Sequence, residues 1–315
     1  MTPQVTPAVT LSETRPPLFL LPPSEGKLSG GTGPAWTSGT MRIDLDLQRI
    51  RVAKALRSAM RSNATERGRL LGVKGEALAS ATVSNKSVFG SPTTPAIERY
   101  TGVLYGALDV SSLGNAERTL LDDSVVIFSG LWGLVTPSDP IPDYKLKMGS
   151  RLGSLGRLST WWRESITNEI KALADRRTVW NLLPKEHAGA LSPSLDIEQF
   201  SVVFLEPNKS GELVAVSHWN KFLKGAFVRH SAGVPRCRTI GPDRLGSSVR
   251  FQARPCADHA RGQSEHPQLR VAVIDVRSRR TDLRTVQDSA LNAVAVGRIR
   301  MSTSPGSPRS TRTAS

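Results

Sequence analysis

The chain has 315 residues, of which 42 are Lys or Arg and 27 are Asp or Glu, so its formal net charge is +15. Both cysteines, Cys237 and Cys256, lie in residues 231–315, which also hold 15 arginines, no lysine and six acidic residues. Residues 1–230 therefore cannot hold a disulfide, a thiolate nucleophile, a Cys-ligated zinc ion or an iron–sulfur cluster. No apolar run near the start fits a signal peptide or a membrane span, so we expect a cytoplasmic protein.

Short strand patterns alternate with helical patterns from residue 18 to about residue 230, after a polar leader at residues 1–17. This alternation predicts a single compact α/β domain in which helices flank a central mixed sheet. The strand candidates are Leu18–Leu21, Ser124–Phe128, Thr178–Leu183, Val202–Leu205 and Leu213–Ser217. The helical candidates are Leu45–Arg61, Ala96–Leu108, Ser159–Ala174 and His218–Arg229. Residues 82–95 have the composition of a loop.

Residues 231–315 differ abruptly from the rest of the chain, because Arg, Pro and Ser crowd a segment whose one aromatic residue is Phe251. Such a composition buries little apolar surface and predicts a disordered tail. The strand-like pattern Leu269–Val276 interrupts it, and we interpret that pattern as chance. The change after His230 is what a shifted reading frame in a GC-rich gene would give, a hypothesis that sequencing the locus would test.

The first candidate site is the loop Pro22–Lys27, ProProSerGluGlyLys, directly after the first strand candidate. Ligands of α/β proteins usually bind at the carboxyl ends of strands, and Ser24, Glu25 and Lys27 offer a hydroxyl, a carboxylate and a cation there. The loop is not a P-loop, because leucines stand where that motif needs its first Gly and its Ser or Thr. A solvated loop that merely ends a strand explains the segment equally well.

The second candidate is Leu71-Gly72-Val73-Lys74-Gly75, which has the hydrophobic-Gly-hydrophobic-x-Gly form of the hairpin in a helix-hairpin-helix module. In such a hairpin the glycines let backbone N–H groups approach a DNA phosphate without reading the base sequence. An ordinary helix C-cap followed by a turn explains these five residues as well.

The third candidate, residues 129–150, follows a strand and combines two early glycines, which permit a tight turn, with several prolines that stiffen a long loop. The loop presents Asp139, Tyr144, Lys145 and Lys147. Long ordered loops usually exist for a functional reason. No GxSxG elbow and no His or Cys stands near its start, so the loop has no catalytic signature.

The fourth candidate, His218–His230, fits a helix with one apolar face. Its opposite arc carries Lys221, Lys224 and Arg229, which suit phosphate contacts or, equally, a solvated face. The histidines of residues 1–230 are isolated and lack partner carboxylates at ligand spacing, so we expect no metal site and no cofactor.

Taken in this order, the four segments resemble the peroxide stress protein YaaA family. The PPSEGK loop of that family corresponds to Pro22–Lys27. Its SGLYGLLRPLDxIxPYRLEMG block corresponds to Ser129–Gly149, with Trp132 at the usual Tyr. Within this block Lys145 and Lys147 stand at the usual Arg and Glu.

Two further matches extend the resemblance over about residues 18–230. An NLAS-like strand end corresponds to Asn181–Leu183. The late helix, SxYAKxARGxxxRy, matches at Lys221, Gly225 and Arg229 and has Lys224 at an Arg position. From Ser231 onward nothing matches the final segment of the family, whose loss would expose a sheet edge and remove core contacts.

The resemblance implies a cytoplasmic protein of the hydrogen peroxide stress response that limits unincorporated intracellular iron. It also implies binding to DNA, including double-stranded DNA, through a positively charged cleft and a helix-hairpin-helix element. The residues expected at this interface are Lys27, Gly72, Lys74, Gly75, Lys145, Lys221, Lys224 and Arg229. We expect a binding protein rather than a catalyst, with no membrane partner, and the oligomeric state is left open.

Two alternatives remain beside DNA binding. The first is an enzyme that acts on a phosphorylated or nucleotide-like small molecule, because a carboxylate and lysines at a strand end can do acid–base chemistry. The pocket of such an enzyme would be formed by Ser24, Glu25, Lys27, Asp139 and Tyr144. The second is a damaged gene product without activity, since the final segment of the family is missing.

Overall fold

An all-apolar strand, β1 (Leu18–Leu21), lies in the middle of the sheet and is buried along its whole length. The structure is a computed structural model, and it describes residues 15–207, 210, 213–215, 220–233 and 270–275. These residues fall into two compact units. The first contains 15–202, 220–233 and 274–275, and the second contains 203–207, 210, 213–215 and 270–273.

Five strands of the first unit form one sheet. Its strands beside β1 are β3 (Val125–Ser129), β4 (Gly133–Val135), β6 (Val179–Asn181) and the start of β7 (Gln199–Pro207), while β2 (Thr94–Pro95) and β5 (Pro140–Ile141) form a separate antiparallel pair. The order is β4-β3-β1-β6-β7. β1 runs parallel to β3 and β6, and β6 runs parallel to β7, whereas β4 is antiparallel to β3. The predicted mixed sheet is therefore confirmed.

Ten α-helices occur in the part of the chain that the structure describes, all of them in the first unit. They are α1 (Asp46–Ala59), α2 (Ala64–Leu71), α3 (Gly75–Lys86), α4 (Ala96–Arg99), α5 (Val103–Leu108), α6 (Asn115–Ser124), α7 (Leu158–Trp161), α8 (Arg163–Leu173), α9 (Lys185–Ala188) and α10 (Asn220–Gly233). α10 packs on α5 at Gly225, where a Cβ atom would overlap the carbonyl oxygen of Leu104. None of these helices combines the length and the apolar character needed to cross a bilayer.

The second unit contains the end of β7, β8 (Leu213–Ala215) and most of β9 (Arg270–Asp275). β8 pairs antiparallel with β7, with Leu205 opposite Ala215. The interpretation of Leu269–Val276 as chance was wrong, because β9 occupies this segment. Its Val and Ile residues favour a strand, although the residues around it have the composition of a disordered tail. The predicted disorder of the leader and of the remaining tail concerns residues outside those described.

Three predicted elements need correction. Residues 82–95 are not all loop, because α3 continues to Lys86 with polar residues on its buried side. There Thr82 Oγ1 donates to the Leu78 carbonyl oxygen at 2.7 Å, so burial does not leave the hydroxyl unpaired. The single helix predicted over Ala96–Leu108 is interrupted, because the backbone becomes extended at Tyr100 after α4, and Gly102, with a φ of +101°, precedes α5. The helix predicted over Ser159–Ala174 is likewise divided into α7 and α8.

A wholly buried arginine, Arg49 on α1, fixes the turn between β3 and β4. Its guanidinium donates to the carbonyl oxygens of Trp132 at 3.1 Å, Leu134 at 2.9 Å and Ile43 at 2.7 Å. It also forms a 2.8 Å ion pair with Asp46. One side chain thus joins Ile43, which precedes α1, to the β3–β4 turn and to β4 through charge-assisted hydrogen bonds.

Replacing Arg49 with Met should lower the free energy of unfolding by about 3–5 kcal/mol, because three carbonyl groups lose a charged donor and the Asp46 carboxylate loses its ion pair. Urea denaturation followed by far-UV circular dichroism measures this change. The matched control is Arg51→Met on the exposed side of the same helix, which should shift stability by less than about 0.5 kcal/mol. Equal effects of the two substitutions would contradict the structural role of Arg49.

Candidate nucleic-acid interface

Three lysines from two distant segments meet beside one carboxylate, and we name Lys27, Lys145 and Lys147 the lysine cluster. Glu25 accepts from Lys147 Nζ at 3.0 Å through one carboxylate oxygen and from Lys145 Nζ at 3.3 Å through the other. The Glu25 side chain is 70% exposed, whereas that of Lys145 is only 17% exposed. The carboxylate therefore covers the two lysines from the solvent side.

The backbone around Lys145 is held by α3. Lys145 N–H donates to Asn85 Oδ1 at 2.9 Å, and Asn85 Nδ2 donates to the Lys145 carbonyl oxygen at 2.9 Å. Gly130, in the turn after β3, packs against the next peptides, because a Cβ there would lie 2.8 Å from the Leu146 carbonyl oxygen. A buried amide and a glycine thus set the positions of Lys145 and Lys147 before either lysine meets a ligand.

All three tyrosines of the chain lie around the loop Pro22–Lys27. Tyr105 Oη donates to the Pro22 carbonyl oxygen at 2.8 Å. The hydroxyl of Tyr144 shares hydrogen bonds with Tyr100 Oη at 2.8 Å and with Ser129 Oγ at 2.7 Å. The loop therefore rests on a buried network of hydroxyl groups.

Lys27 lies across this network. Its ammonium is 4.5 Å from the ring centre of Tyr144 and 5.4 Å from that of Tyr100, and it donates to the Ser24 carbonyl oxygen at 3.0 Å. The backbone of Lys27 also pairs with that of Tyr100 in a short antiparallel bridge. These contacts hold the amine against the aromatic rings rather than in free solvent.

The surroundings shift the pKa values of these groups in a consistent way. Burial, and then the charge of Lys145, lowers the pKa of Lys27 to about 8. The hydrogen bond from Lys147 lowers the pKa of the Glu25 carboxyl. Burial raises the pKa of Tyr144 to about 12, so this phenol stays neutral at physiological pH. Lys27 is therefore the member of the cluster that changes charge in mildly alkaline solution.

A groove of about 720 Å³ lies beside Lys147, and we name it the basic groove. Its cations are Arg69, Lys147, Arg151 and Arg157, and its other lining residues are Glu66, Leu70, Gly72, Gly149, Ser150 and Glu186. All three arginines are exposed. One carboxylate of the groove is already engaged, because Glu186 Oε1 accepts from Gly149 N–H at 2.8 Å. Cations therefore dominate the free polar groups of the groove.

The glycine hairpin borders this groove. Gly72 caps α2 in the left-handed conformation, with φ of +67°, and α3 begins three residues later at Gly75, whose φ is +55°. A Cβ at Gly72 would lie 3.6 Å from Lys147 Nζ. Lys74 is exposed at the N-cap of α3, where no side chain caps the helix. The structure thus brings the second and third sequence candidates together.

Other predicted site residues are engaged elsewhere. Asp139 is 3% exposed, and its carboxylate accepts from the backbone N–H groups of Arg42 at 2.8 Å and Thr136 at 2.7 Å. Burial raises the pKa of Asp139. This carboxylate therefore stabilises its own loop.

On α10, the three predicted cations differ in exposure. Lys221 is exposed, whereas Lys224 Nζ donates to the Leu182 carbonyl oxygen at 3.0 Å and is half-buried. Arg229 donates to the Leu108 carbonyl oxygen at 2.9 Å and to Ser112 Oγ at 2.6 Å. Lys224 and Arg229 thus attach α10 to the rest of the first unit.

Several residues of the site were missed by sequence reasoning. Asn85, Tyr100 and the arginines of the basic groove carry no motif, and their roles come from contacts between distant segments. The one available signal was the cation content of residues 151–157, which hold two arginines within seven positions. Within the described residues, no three His, Cys, Asp or Glu side chains converge as they would around a metal ion.

The fold and the site define an α/β protein with a cationic surface beside the loop that follows its first strand. A family model described as "Peroxide stress protein YaaA" matches residues 18–235, more than half of the chain, and the chain therefore belongs to this family. The match contains the lysine cluster and the basic groove. Membership gives the chain a general role in oxidative stress and confirms the resemblance drawn from the four segments.

Curated relatives agree with this assignment. A UPF0246 protein of Streptomyces coelicolor is 34% identical over 216 residues, which cover 67% of this chain and 81% of that relative. A UPF0246 protein of Corynebacterium glutamicum is 34% identical over 229 residues, covering 67% of this chain and 83% of the relative. One of Corynebacterium efficiens is 31% identical over 231 residues, with 70% and 86% covered.

The lowered pKa of Lys27 predicts a pH-dependent stability difference between the wild type and Lys27→Met. Between pH 8 and 10.5 the unfolded chain binds this proton more tightly than the folded chain, so the wild type gains stability relative to the variant as pH rises. A shift from 10.5 to about 8 makes the full gain on the order of 3 kcal/mol. Urea denaturation at pH 7.5 and pH 10 measures it, and a constant difference would contradict the shift.

Proposed function

We propose that this protein acts in the cytoplasmic response to hydrogen peroxide by binding double-stranded DNA independently of base sequence, and that it helps to limit unincorporated intracellular iron. The observation that carries DNA binding is the basic groove, in which three exposed arginines lie beside Lys147 and the left-handed Gly72. The iron part of the proposal is supported by family membership.

The helices on either side of Gly72 suit a phosphate ligand. α2, the short connection and α3 have the order of a helix-hairpin-helix module, and the uncapped N-terminus of the 12-residue α3 has backbone N–H groups available for an anion. The arginines of the groove can bind adjacent phosphates in a bidentate way. Contacts of these kinds position a duplex without reading its bases, which is why we propose binding without sequence preference.

The test is fluorescence anisotropy of a mixed-sequence duplex with the full chain across a salt series. The double variant Arg151→Ala/Arg157→Ala should bind at least tenfold more weakly, and its salt slope should be smaller by about 2, because two phosphate contacts are lost. The matched control is Arg51→Ala/Lys54→Ala, which removes two exposed cations of α1 outside the groove. The arginines of residues 231–315 are unchanged in every variant, so any binding that they contribute is common to all the proteins compared.

An unchanged affinity and slope in the groove variant would remove the basic groove from the interface. Equal losses in both double variants would assign the binding to total charge rather than to the groove.

The Glu25 carboxylate should compete with DNA phosphate for Lys145 and Lys147. Glu25→Gln removes this internal anion while keeping the shape of the side chain, so the affinity for duplex DNA should rise about two- to tenfold at low salt. The matched control is Glu164→Gln, which alters an exposed carboxylate of α8. A lower affinity of Glu25→Gln in the same anisotropy assay would mean that Glu25 positions the lysines rather than competing with the ligand.

A second candidate function is an enzyme that acts on a phosphorylated or nucleotide-like small molecule at the loop Ser24–Lys27. The observation that favours it is the half-buried Lys27, which belongs to the lysine cluster but not to the lining of the basic groove. Ser24, Glu25 and Tyr144 lie with Lys27, whereas Asp139 is committed to its own loop. An enzyme of this kind should bind inorganic phosphate at this loop, and isothermal titration calorimetry of the full chain that detects no phosphate binding would count against it.

A further inference from the structure

Lys27 differs from its two neighbours in the lysine cluster. Glu25 pairs with Lys145 and Lys147, but within the described part of the chain no carboxylate lies within ion-pair distance of Lys27. Its amine has one backbone carbonyl, that of Ser24, as a hydrogen-bond acceptor at 3.0 Å. A structural lysine at this depth would ordinarily have a carboxylate partner.

These surroundings make the amine of Lys27 available as a nucleophile. The aromatic rings of Tyr100 and Tyr144 shield the amine from water, and the charge of Lys145 further lowers its pKa. The carboxylates of Asp143 and Glu25, both beyond ion-pair distance, act in the opposite direction without reversing the shift. With a pKa of about 8, a substantial fraction of Lys27 is neutral at pH 7.5–8, and a neutral amine has the lone pair that attacks a carbonyl carbon.

The neighbouring lysines indicate what else a substrate would carry. Lys145 and Lys147 together hold a single carboxylate through both of its oxygens, and that carboxylate is 70% exposed. A phosphate group offers a similar pair of anionic oxygens, so it can replace Glu25 on the two lysines. A ligand that places a carbonyl near Lys27 and a phosphate near Lys145 and Lys147 therefore fits all three amines.

We propose that Lys27 forms an imine with an aldehyde whose phosphate group is held by Lys145 and Lys147. The lone pair of the neutral amine attacks the aldehyde carbon, and a C–N bond forms. The carbonyl oxygen gains the two amine protons and leaves as water, and C=N forms. The condensation needs no oxidant and no reductant.

Two sources supply this chemistry. One is an abasic site in duplex DNA, where the deoxyribose aldehyde has phosphodiesters on both sides, and this source rests on the proposed DNA binding. The other is a free phosphorylated aldehyde, which requires no duplex. Both present the same pair of groups to the lysine cluster, so they are separated by experiment.

The experiment traps the imine in the full chain. The protein is incubated with a duplex that contains one abasic site, or with pyridoxal 5′-phosphate as a small phosphorylated aldehyde, and sodium borohydride then reduces the imine to a stable secondary amine. Peptide mass spectrometry locates the adduct. We expect modification at Lys27, a yield at least tenfold lower at that peptide in Lys27→Arg, and a trapping rate that rises between pH 7 and pH 9.

Two variants test whether the adduct is specific to Lys27 and whether it depends on the phosphate group. Lys54→Arg changes an exposed lysine of α1 outside the basic groove and should leave the Lys27 adduct unchanged. Lys145→Ala/Lys147→Ala should lower the yield at Lys27 three- to tenfold more for the phosphorylated aldehydes than for propanal, which carries no phosphate and reports the change in the basicity of Lys27 alone. Circular dichroism and urea denaturation of every variant show that each one is folded.

Each outcome of the trapping experiment either supports the imine proposal or overturns it. An adduct at Lys27 with the abasic duplex supports the DNA source, and one with pyridoxal 5′-phosphate supports a free substrate. Labelling spread evenly over exposed lysines, or no adduct at Lys27 with either aldehyde, overturns the proposal. Binding of an intact duplex, measured in the same buffer, tests the proposed function separately, so failure of the imine does not count against DNA binding.

Discussion

The guanidinium of Arg49 is the contact on which the position of the site depends. It is wholly buried and donates to the carbonyl groups of Trp132, the last residue of the β3–β4 turn, and of Leu134 in β4, so it ties the end of the turn to α1. Gly130 in this turn then packs against the peptides of Leu146 and Lys147. The geometry of the lysine cluster is therefore set through a buried cation and a glycine, neither of which touches a ligand.

Much of the sheet could be predicted from the sequence, because its central strands are short, all-apolar runs such as Leu18–Leu21, and such runs report burial on both faces. The later part of α3 could not, since Thr82 and Asn85 are polar but buried. Thr82 donates to the Leu78 carbonyl one turn earlier in the same helix, whereas Asn85 bonds to the distant backbone of Lys145, a partner that only the fold supplies. Hydrophobic periodicity does not register burial of this kind.

Part of the candidate site could likewise be predicted from the sequence, and part could not. Ser24, Glu25 and Lys27 are adjacent in sequence and follow a strand, so their shared position could be inferred. The meeting of Gly72 with Lys147, and of Lys27 with two tyrosine rings, joins residues more than seventy positions apart. The interior position of Asp139 was equally hidden, because an aspartate in a proline-rich loop looks the same in sequence whether it binds a ligand or its own backbone.

The pairing of Glu25 with two lysines also bears on the thermodynamics of ligand exchange. Counterions released when a cationic surface binds phosphate gain translational freedom, and this gain is the source of the usual salt dependence of phosphate binding. The Glu25 carboxylate is bonded to the chain and gains only side-chain rotamer freedom when it is displaced. The replacement of Glu25 by phosphate at Lys145 and Lys147 should therefore depend more on enthalpy, and less on salt concentration, than phosphate binding at the arginines of the basic groove.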